Sequence, residues 1–215
     1  MRETLSRTWE RTAPEDDRPS FAERRREALR LEIAVEAVRL FNSQGVTATT
    51  GEQIAHAVGI SARTLWRYFP SKESCVLPLL TAGLDFAVER LHDWPSDTSL
   101  LDFFAEACRN GDLPPTAPQI LDLIRMTSSD PALRSVWLQA HDEALPVLGR
   151  LLARRAGADP GDLNIAVHAA TLNGALRAGV EEFARRHARD PDAADAEIAV
   201  CLDAALRAAA EGLPY

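Results

Sequence analysis

Apolar residues recur at helical spacing along almost the whole chain, and no run alternates as a half-buried strand does. Leu29, Ile33, Ala37, Leu40 and Phe41 fall on one stripe, with Ser20 and Glu23 placed ahead of them as a capping box and Gln44-Gly45 as a stop. A shorter pattern starts at Thr50, which pairs with Gln53 in a second capping box. It carries Ile54, Ala55 and Val58 on one face and stops at Gly59, where a glycine turns the chain freely. Ile60 is expected to plug the corner. Ser61 caps a third helix whose Leu65 and Phe69, four apart, face inward. Pro70 ends that helix. Ser71 then caps a fourth, predicted to run to about Asp93-Trp94-Pro95 with a kink at Pro78.

Leu100, Phe103, Phe104 and Ala107 mark a fifth helix between Ser99 and Asn110. A proline-rich link, Leu113 to Pro118, leads to a sixth that reaches Met126. Three Asp-Pro pairs then repeat one device, a capping carboxylate followed by proline at the first helical position. Asp130-Pro131 opens a helix to about Arg155 with Pro146 inside it, Asp159-Pro160 one to about His187, and Asp190-Pro191 one to about Gly212. The pattern therefore predicts an all-α protein, with a polar arm over residues 1–19, a three-helix unit over 20–70 and a helical body over 71–215.

The corner between the second and third helices carries the most specific chemistry. Once Leu65 and Phe69 are turned inward, Ala62, Arg63, Thr64, Trp66, Arg67 and Tyr68 remain for the outer face of the third helix and its flanks. Arginine pairs bidentately with guanine or clamps phosphate, and Trp66 and Tyr68 can lie against sugars or a thymine methyl. Thr50, Gln53 and Ser61 sit at helix starts, where free N–H groups attract phosphate, and Lys72 stands beside another such start. This is the layout of a helix-turn-helix that places its second helix in the major groove of DNA.

Read through as GISARTLWRYFPSKE, this segment resembles the tetracycline-repressor (TetR) family of bacterial transcription regulators almost position for position. The resemblance is densest from Arg25 to Leu80. Trp66 departs from the tyrosine or phenylalanine usual there, and Tyr68 stands where histidine or tyrosine is usual. The text RMTSSDPALR, Arg125 to Arg134, is similar to a segment in the C-terminal domain of some members and is expected to lie outside any effector pocket. The resemblance implies an N-terminal helix-turn-helix domain and a C-terminal helical ligand-binding and dimerisation domain. It implies a homodimer on a pseudo-palindromic double-stranded operator, most simply a repressor released by a small effector, and no cofactor. A ligand-independent activator and a helical interaction module are the alternatives, although the latter leaves Arg63, Trp66 and Arg67 without a purpose.

Two further patterns bear on that body. Ala166, Ala170, Gly174 and Ala178 recur every four residues, and Ala205 and Ala209 repeat the spacing later. Small residues in a row let another helix approach closely, and in the resembling family the last two helices pair with their copies in a dimer. Phe86, Phe103, Trp137 and other bulky residues supply apolar walls, while Arg125, His141, His168, Asn173 and Arg177 are polar groups on otherwise apolar helix faces. A few polar groups converging in an apolar cavity is how small-molecule sites are built, here for an amphipathic or apolar ligand.

Charge is distributed unevenly. Residues 18–72 hold nine basic residues against five acidic, a surplus of four, so the rest carries −12 of the net −8. A basic head on an acidic body directs one end toward DNA. Cys75, Cys108 and Cys201 are far apart without metal-ligand spacing, which fits reduced thiols in a cytoplasmic protein. Met1 to Ser20 has no apolar core of a secretory signal, and no apolar run is long enough to span a bilayer. Enzyme motifs fail in detail. The GxxxxG spacing of Gly174 to Gly179 is followed by Val180-Glu181 instead of lysine and a hydroxyl residue. The calcium-loop-like run from Asp190 has Asp195 where glycine is needed and Cys201 where glutamate is needed. His141-Asp142-Glu143 is not a two-histidine zinc helix. No catalytic residue and no metal site is expected.

Overall fold

A computed structural model of the chain describes residues 20–110, 118–187 and 196–212. The polar arm, most of the proline-rich link and the Asp190-Pro191 cap lie outside the described residues. Within them the chain forms α1 (Phe21–Gln44), α2 (Gly51–Val58), α3 (Ala62–Tyr68), a 3-10 turn (Glu73–Val76), α4 (Leu77–His92), α5 (Leu100–Arg109), α6 (Pro118–Thr127), α7 (Pro131–Ala156), α8 (Leu163–His187) and α9 (Ala196–Glu211). No strand occurs among the described residues. No helix there is long and apolar enough to cross a membrane.

The predicted caps are present as hydrogen bonds. The Ser20 hydroxyl accepts from the Glu23 N–H at 3.2 Å, and the Glu23 carboxylate accepts from the Ser20 N–H at 2.7 Å. Thr50 and Gln53 reciprocate in the same way at 3.2 and 2.8 Å. Gly59 sits in the left-handed region at φ 75°, with its N–H on the carbonyls of Ala55 and His56. Asp130 accepts from Ala132 and Leu133 at 2.9 and 3.0 Å, and Pro146 lies inside α7.

Two starts differ from expectation. The Ser71 hydroxyl does accept from Ser74, but the turn it opens is 3-10, and the α-helix begins only at Leu77. Pro78 therefore occupies the first turn of α4, where its missing N–H has no helical partner to lose, and no kink is needed. Asp159 accepts from Gly161 and makes a turn. Asp162 accepts from Asn164, and α8 starts at Leu163, three residues past Pro160.

The core falls into two clusters. One joins α1, α2, α3 and the 3-10 turn to α4, α6 and the first half of α7, through Ile33, Phe41, Ile54, Leu65, Phe69, Leu80, Leu123 and Trp137. The other joins the far half of α7 to α8 and α9 through Leu148, Leu172, Leu176, Phe183, Ile198 and Leu202. Burial removes the Cys75 thiol from chemistry, pushing it up to about 12, and raises that of Cys201.

Candidate functional sites

The second and third helices hold their outer residues on a rigid corner. Leu65 is fully buried and Phe69 nearly so, and Arg30 of α1 lies over the Phe69 ring at 5.3 Å. Behind Thr50, the Gln44 carboxamide donates to Thr49 at 3.1 Å and to Gln53 at 2.9 Å, and the buried Thr49 hydroxyl donates to the Gly45 carbonyl. This polar brace ties the end of α1 to the start of α2. Thr50, Gln53, Ser61, Arg63, Trp66 and Arg67 are exposed, while Ala62, Thr64 and Tyr68 are half-buried at the flanks. The Ser61 hydroxyl caps Thr64 at 3.1 Å and pairs with its hydroxyl at 2.8 Å. Arg67 stacks its guanidinium 5.2 Å from the Tyr68 ring centroid, a cation–π pair that holds both side chains together on the surface.

Lys72 stands at the start of the 3-10 turn, with its ammonium engaged by carbonyls of the protein. Its ammonium donates to the carbonyls of Val46 and Thr49 at 2.6 and 2.7 Å and approaches that of Thr47 at 3.4 Å. An ammonium has three donors, and here they point at the loop that follows α1. The side chain thus staples the loop beneath Thr50, and its geometry is that of a positioning residue before any phosphate contact.

Gly51 was not singled out by the sequence pattern. A Cβ at this first residue of α2 would overlap the six-membered ring of Trp66. The indole lies across the helix start with 41% of its surface still open. The signal available was a glycine at a helix N-terminus facing a tryptophan where a smaller aromatic is usual.

The expected ligand residues do not gather in one place. Trp137, His141, Asn173 and Arg177 do meet, between α7 and α8. Trp137 and His141 rings are edge to face at 4.2 Å, and both side chains are buried with Asn173. The His141 Nδ1 is 2.7 Å from the Asn173 carboxamide oxygen, and the Asn173 Nδ2 donates to the His141 carbonyl at 2.9 Å. Glu181 accepts from the Trp137 indole at 2.8 Å and from Arg134 at 2.5 Å, with Arg177 at 3.5 Å. Burial alone would raise the Glu181 carboxyl, but the Arg134 and Trp137 donors together with the two arginine charges outweigh it and hold it low. Burial pushes the His141 imidazole below its ordinary range, against the Asn173 bond.

The others lie elsewhere. Phe103 stacks with Trp94 at 6.3 Å and meets Phe104 at 5.8 Å, in an aromatic group at the α4–α5 end. Arg155 of α7 lies over the Trp94 ring at 3.5 Å and donates to the Trp94, Ser96 and Thr98 carbonyls, closing that end. Phe86 is half-buried on α4. Arg125 pairs with Asp122, which accepts from Asn42 at 2.9 Å, so it belongs to the seam between α6 and α1. His168 is exposed and lines an apolar cleft of about 310 Å³ with Leu100, Leu152, Leu172, Leu206 and Ala209. Part of the RMTSSDPALR segment, with Glu181, lines a second, more polar cleft of about 480 Å³.

The small-residue ladder divides too. Ala166, Ala170 and Ala178 are exposed on α8, and a Cβ at Gly174 would meet nothing within 4 Å. Leu163 and Val167 are exposed on the same helix at 75% and 52%, a clear apolar surplus. Ala205 and Ala209, by contrast, pack inward against the second core cluster, while Val200, Ala204 and Ala208 are among the exposed residues of α9. The small residue that brings α8 and α9 together is Gly179, where a Cβ would lie 3.1 Å from the Cys201 carbonyl and the Leu202 Cα. The four-residue repeat could not separate these neighbouring faces, because adjacent alanines on α9 serve both.

Known proteins match this chain in both halves. Residues 33–79 match the pattern of bacterial regulatory proteins of the tetR family, and residues 113–214 match the MftR C-terminal domain. The transcriptional regulator TcmR of Streptomyces glaucescens is 30% identical over 152 residues, 67% of each chain. Among solved structures, a TetR-family regulator from Mesorhizobium loti is similar with a TM-score of 0.54 and 20% identity, over 86% of this chain and 97% of that one. Thermus thermophilus FadR, a TetR-family repressor in complex with lauroyl-CoA, is 26% identical over 86% of this chain and 95% of its own, with a TM-score of 0.49.

Proposed function

The chain belongs to the TetR family of bacterial transcription regulators, and from that premise we propose that it is a homodimeric repressor which leaves a pseudo-palindromic operator when a small, largely apolar molecule enters its C-terminal helices. The observation that carries this reading is the outward set on α3, Arg63, Trp66 and Arg67, mounted on a corner whose inner side is closed by Leu65 and Phe69. Residues 20–70 would form the DNA-binding unit and residues 71–215 the effector and dimerisation unit, working in the cytoplasm.

The apolar surplus on α8 and α9, Leu163, Val167 and Val200 with the exposed alanines between them, supports pairing with a second copy. Two copies present two recognition helices to successive major grooves, which a palindromic site requires. The α7–α8 node, with Trp137, His141 and Asn173, supports a ligand seat. A ligand preferring one arrangement of the helices would shift the dimer away from the spacing that fits DNA.

Selecting duplexes from a random pool with the purified chain tests the reading. The expected product is an inverted repeat, bound by a species that sediments as a dimer. Arg63→Ala is expected to cost about 1–3 kcal/mol and relax choice at one position of each half-site. Recovery of no preferred sequence, or a monomer on the DNA, would defeat it.

A further inference from the structure

Two helices pass from one apolar cluster into the other. On α4, Leu79, Leu80 and Leu84 belong to the first cluster, and Ala87 and Leu91 to the second. On α7, Leu133, Trp137 and Ala140 belong to the first, with Ala144 packed against it, and Leu148 opens the second. The two helices pack on each other, and both run from the first cluster toward the second.

Each carries a weak point at the border. Gly83 precedes Leu84 on α4. Pro146 lies midway between Ala144 and Leu148 on α7, and Gly149 follows. A helical proline leaves the carbonyl four residues back without its donor and crowds it, and glycine holds a helix less firmly than alanine. Pro146 and Asp142, four residues back, are both exposed, so the lost bond lies on the solvent side of α7. Packing does not explain the glycines. A Cβ at Gly83 or at Gly149 would meet no atom within 4 Å, although Gly149 is buried. Gly179, whose Cβ would press on α9, shows the contrasting case of a glycine that packing requires.

The blocks on either side differ in what they carry. The first holds the reading head. There α1, α2 and α3 share their core with α6 and the first half of α7, and Asn42 of α1 donates to Asp122 of α6 at 2.9 Å. The second holds α9 and most of the buried apolar residues of α8. Polar bonds join the first half of α7 to α8, His141 with Asn173, and Arg134 and Trp137 with Glu181. Glu181 has a second cation on its own helix, Arg177 at 3.5 Å, so it can release Arg134 without losing a charge partner.

We infer that Gly83, Pro146 and Gly149 form a hinge inside the helical body, on which the reading head swings as one block with α6 and the first halves of α4 and α7. This hinge presupposes the dimeric, DNA-binding reading above and specifies its regulation, because it sets the range of half-site spacings that the dimer accepts. Each base pair added between half-sites moves them apart by about 3.4 Å and turns them by about a tenth of a helical turn. A bend in α4 and α7 moves the whole head relative to α8 and α9, so a small change of angle there becomes a large displacement at α3.

The test uses the full chain and the inverted repeat it selects, rebuilt with one or two base pairs added to or removed from its centre. Affinities from fluorescence anisotropy give the fall from the best spacing to its neighbours. Gly83→Ala, Pro146→Ala and Gly149→Ala combined should steepen that fall at least about tenfold relative to the wild type. The triple variant should also melt higher, since alanine fits at each site and favours the helix. Any helix-favouring change raises a melting temperature, whereas the spacing profile moves only when the joint stiffens. A profile steepened by less than that overturns the hinge. A triple variant that melts lower than the wild type does so too, because packing would then require these residues. A chain that selects no inverted repeat removes the dimeric operator reading and the hinge with it. A selected repeat with equal profiles removes the hinge alone.

Discussion

The DNA-binding corner and the effector-side helices are stabilised in different ways. The corner's helices are each started by short-range polar bonds, Ser20 with Glu23, Thr50 with Gln53 and Ser61 with Thr64, each spanning three residues, and the Lys72 ammonium ties them to the loop after α1. The C-terminal helices are held by long-range contacts, such as Asn173 with His141 and Arg134 with Glu181, across 32 and 47 residues. Local bonds are set by spacing along the chain and fix one geometry. Distant contacts depend on how whole helices pack, and a bound molecule can compete with them. A reader of DNA needs the first kind of construction, and a sensor of ligands the second.

Breaking the corner should have the largest effect. Lys72→Met removes the ammonium that closes the loop after α1 and leaves three carbonyls without it. It is expected to lower unfolding free energy by about 3 kcal/mol, read from urea midpoints. Replacement with unchanged stability and a salt dependence of operator binding shallower by one charge would restore a phosphate role.

Gly51→Ala comes next, at about 2 kcal/mol, because its methyl group meets the Trp66 ring. Trp66→Leu in the same chain should recover most of that loss. The double-mutant cycle checks it, and additive effects would show the two residues to be independent.

On the other side of the comparison, Gly179→Ala tests the α8–α9 approach. The methyl group would press on the Cys201 carbonyl and Leu202 Cα, while alanine favours the helix. The expected net loss is about 1 kcal/mol. Gly174→Ala, with open space around it, should instead leave the isolated protomer's helices as stable or slightly more so.

The smallest expected effect is a pH slope. The folded His141 imidazole has a pKa below the ordinary value of 6.5, so the unfolded chain takes up the proton first as pH falls. Its contribution is therefore complete above pH 6.5 and is lost as pH falls below it, toward the folded value. Arg177, Glu181 and Arg134 are the charged groups that act on the ring. Urea midpoints at pH 7.5 and 5.5 should differ in the wild type and differ less in His141→Leu.

Legibility followed the same division. The first three helices, their caps and the inward Leu65 and Phe69 were readable because each signal lies within one or two turns. The family pattern added the function of that face. The ammonium of Lys72 meets Val46, Thr47 and Thr49, partners that spacing along the chain does not reveal because two helices fold between them. Trp137, His141, Asn173 and Arg177 lie together between α7 and α8, whereas Phe103, Arg125 and His168, grouped with them on polarity and bulk, lie apart. Helix phase fixes a residue's angle around its own axis, and says nothing about which neighbour lies there. Ala205 and Ala209 show the limit directly: one residue's difference turns the stripe from outside to inside.

The contact between Gly51 and Trp66 bears on how this reading head can evolve or be re-engineered. A recognition helix is often treated as a cassette, exchangeable for another with different base preferences. Here α3 carries a ring that requires an absent side chain on α2, so a graft of α3 alone into a relative with a larger residue at that place would not seat. The two positions form a lock-step pair, and descendants of this chain are expected to enlarge one only after shrinking the other.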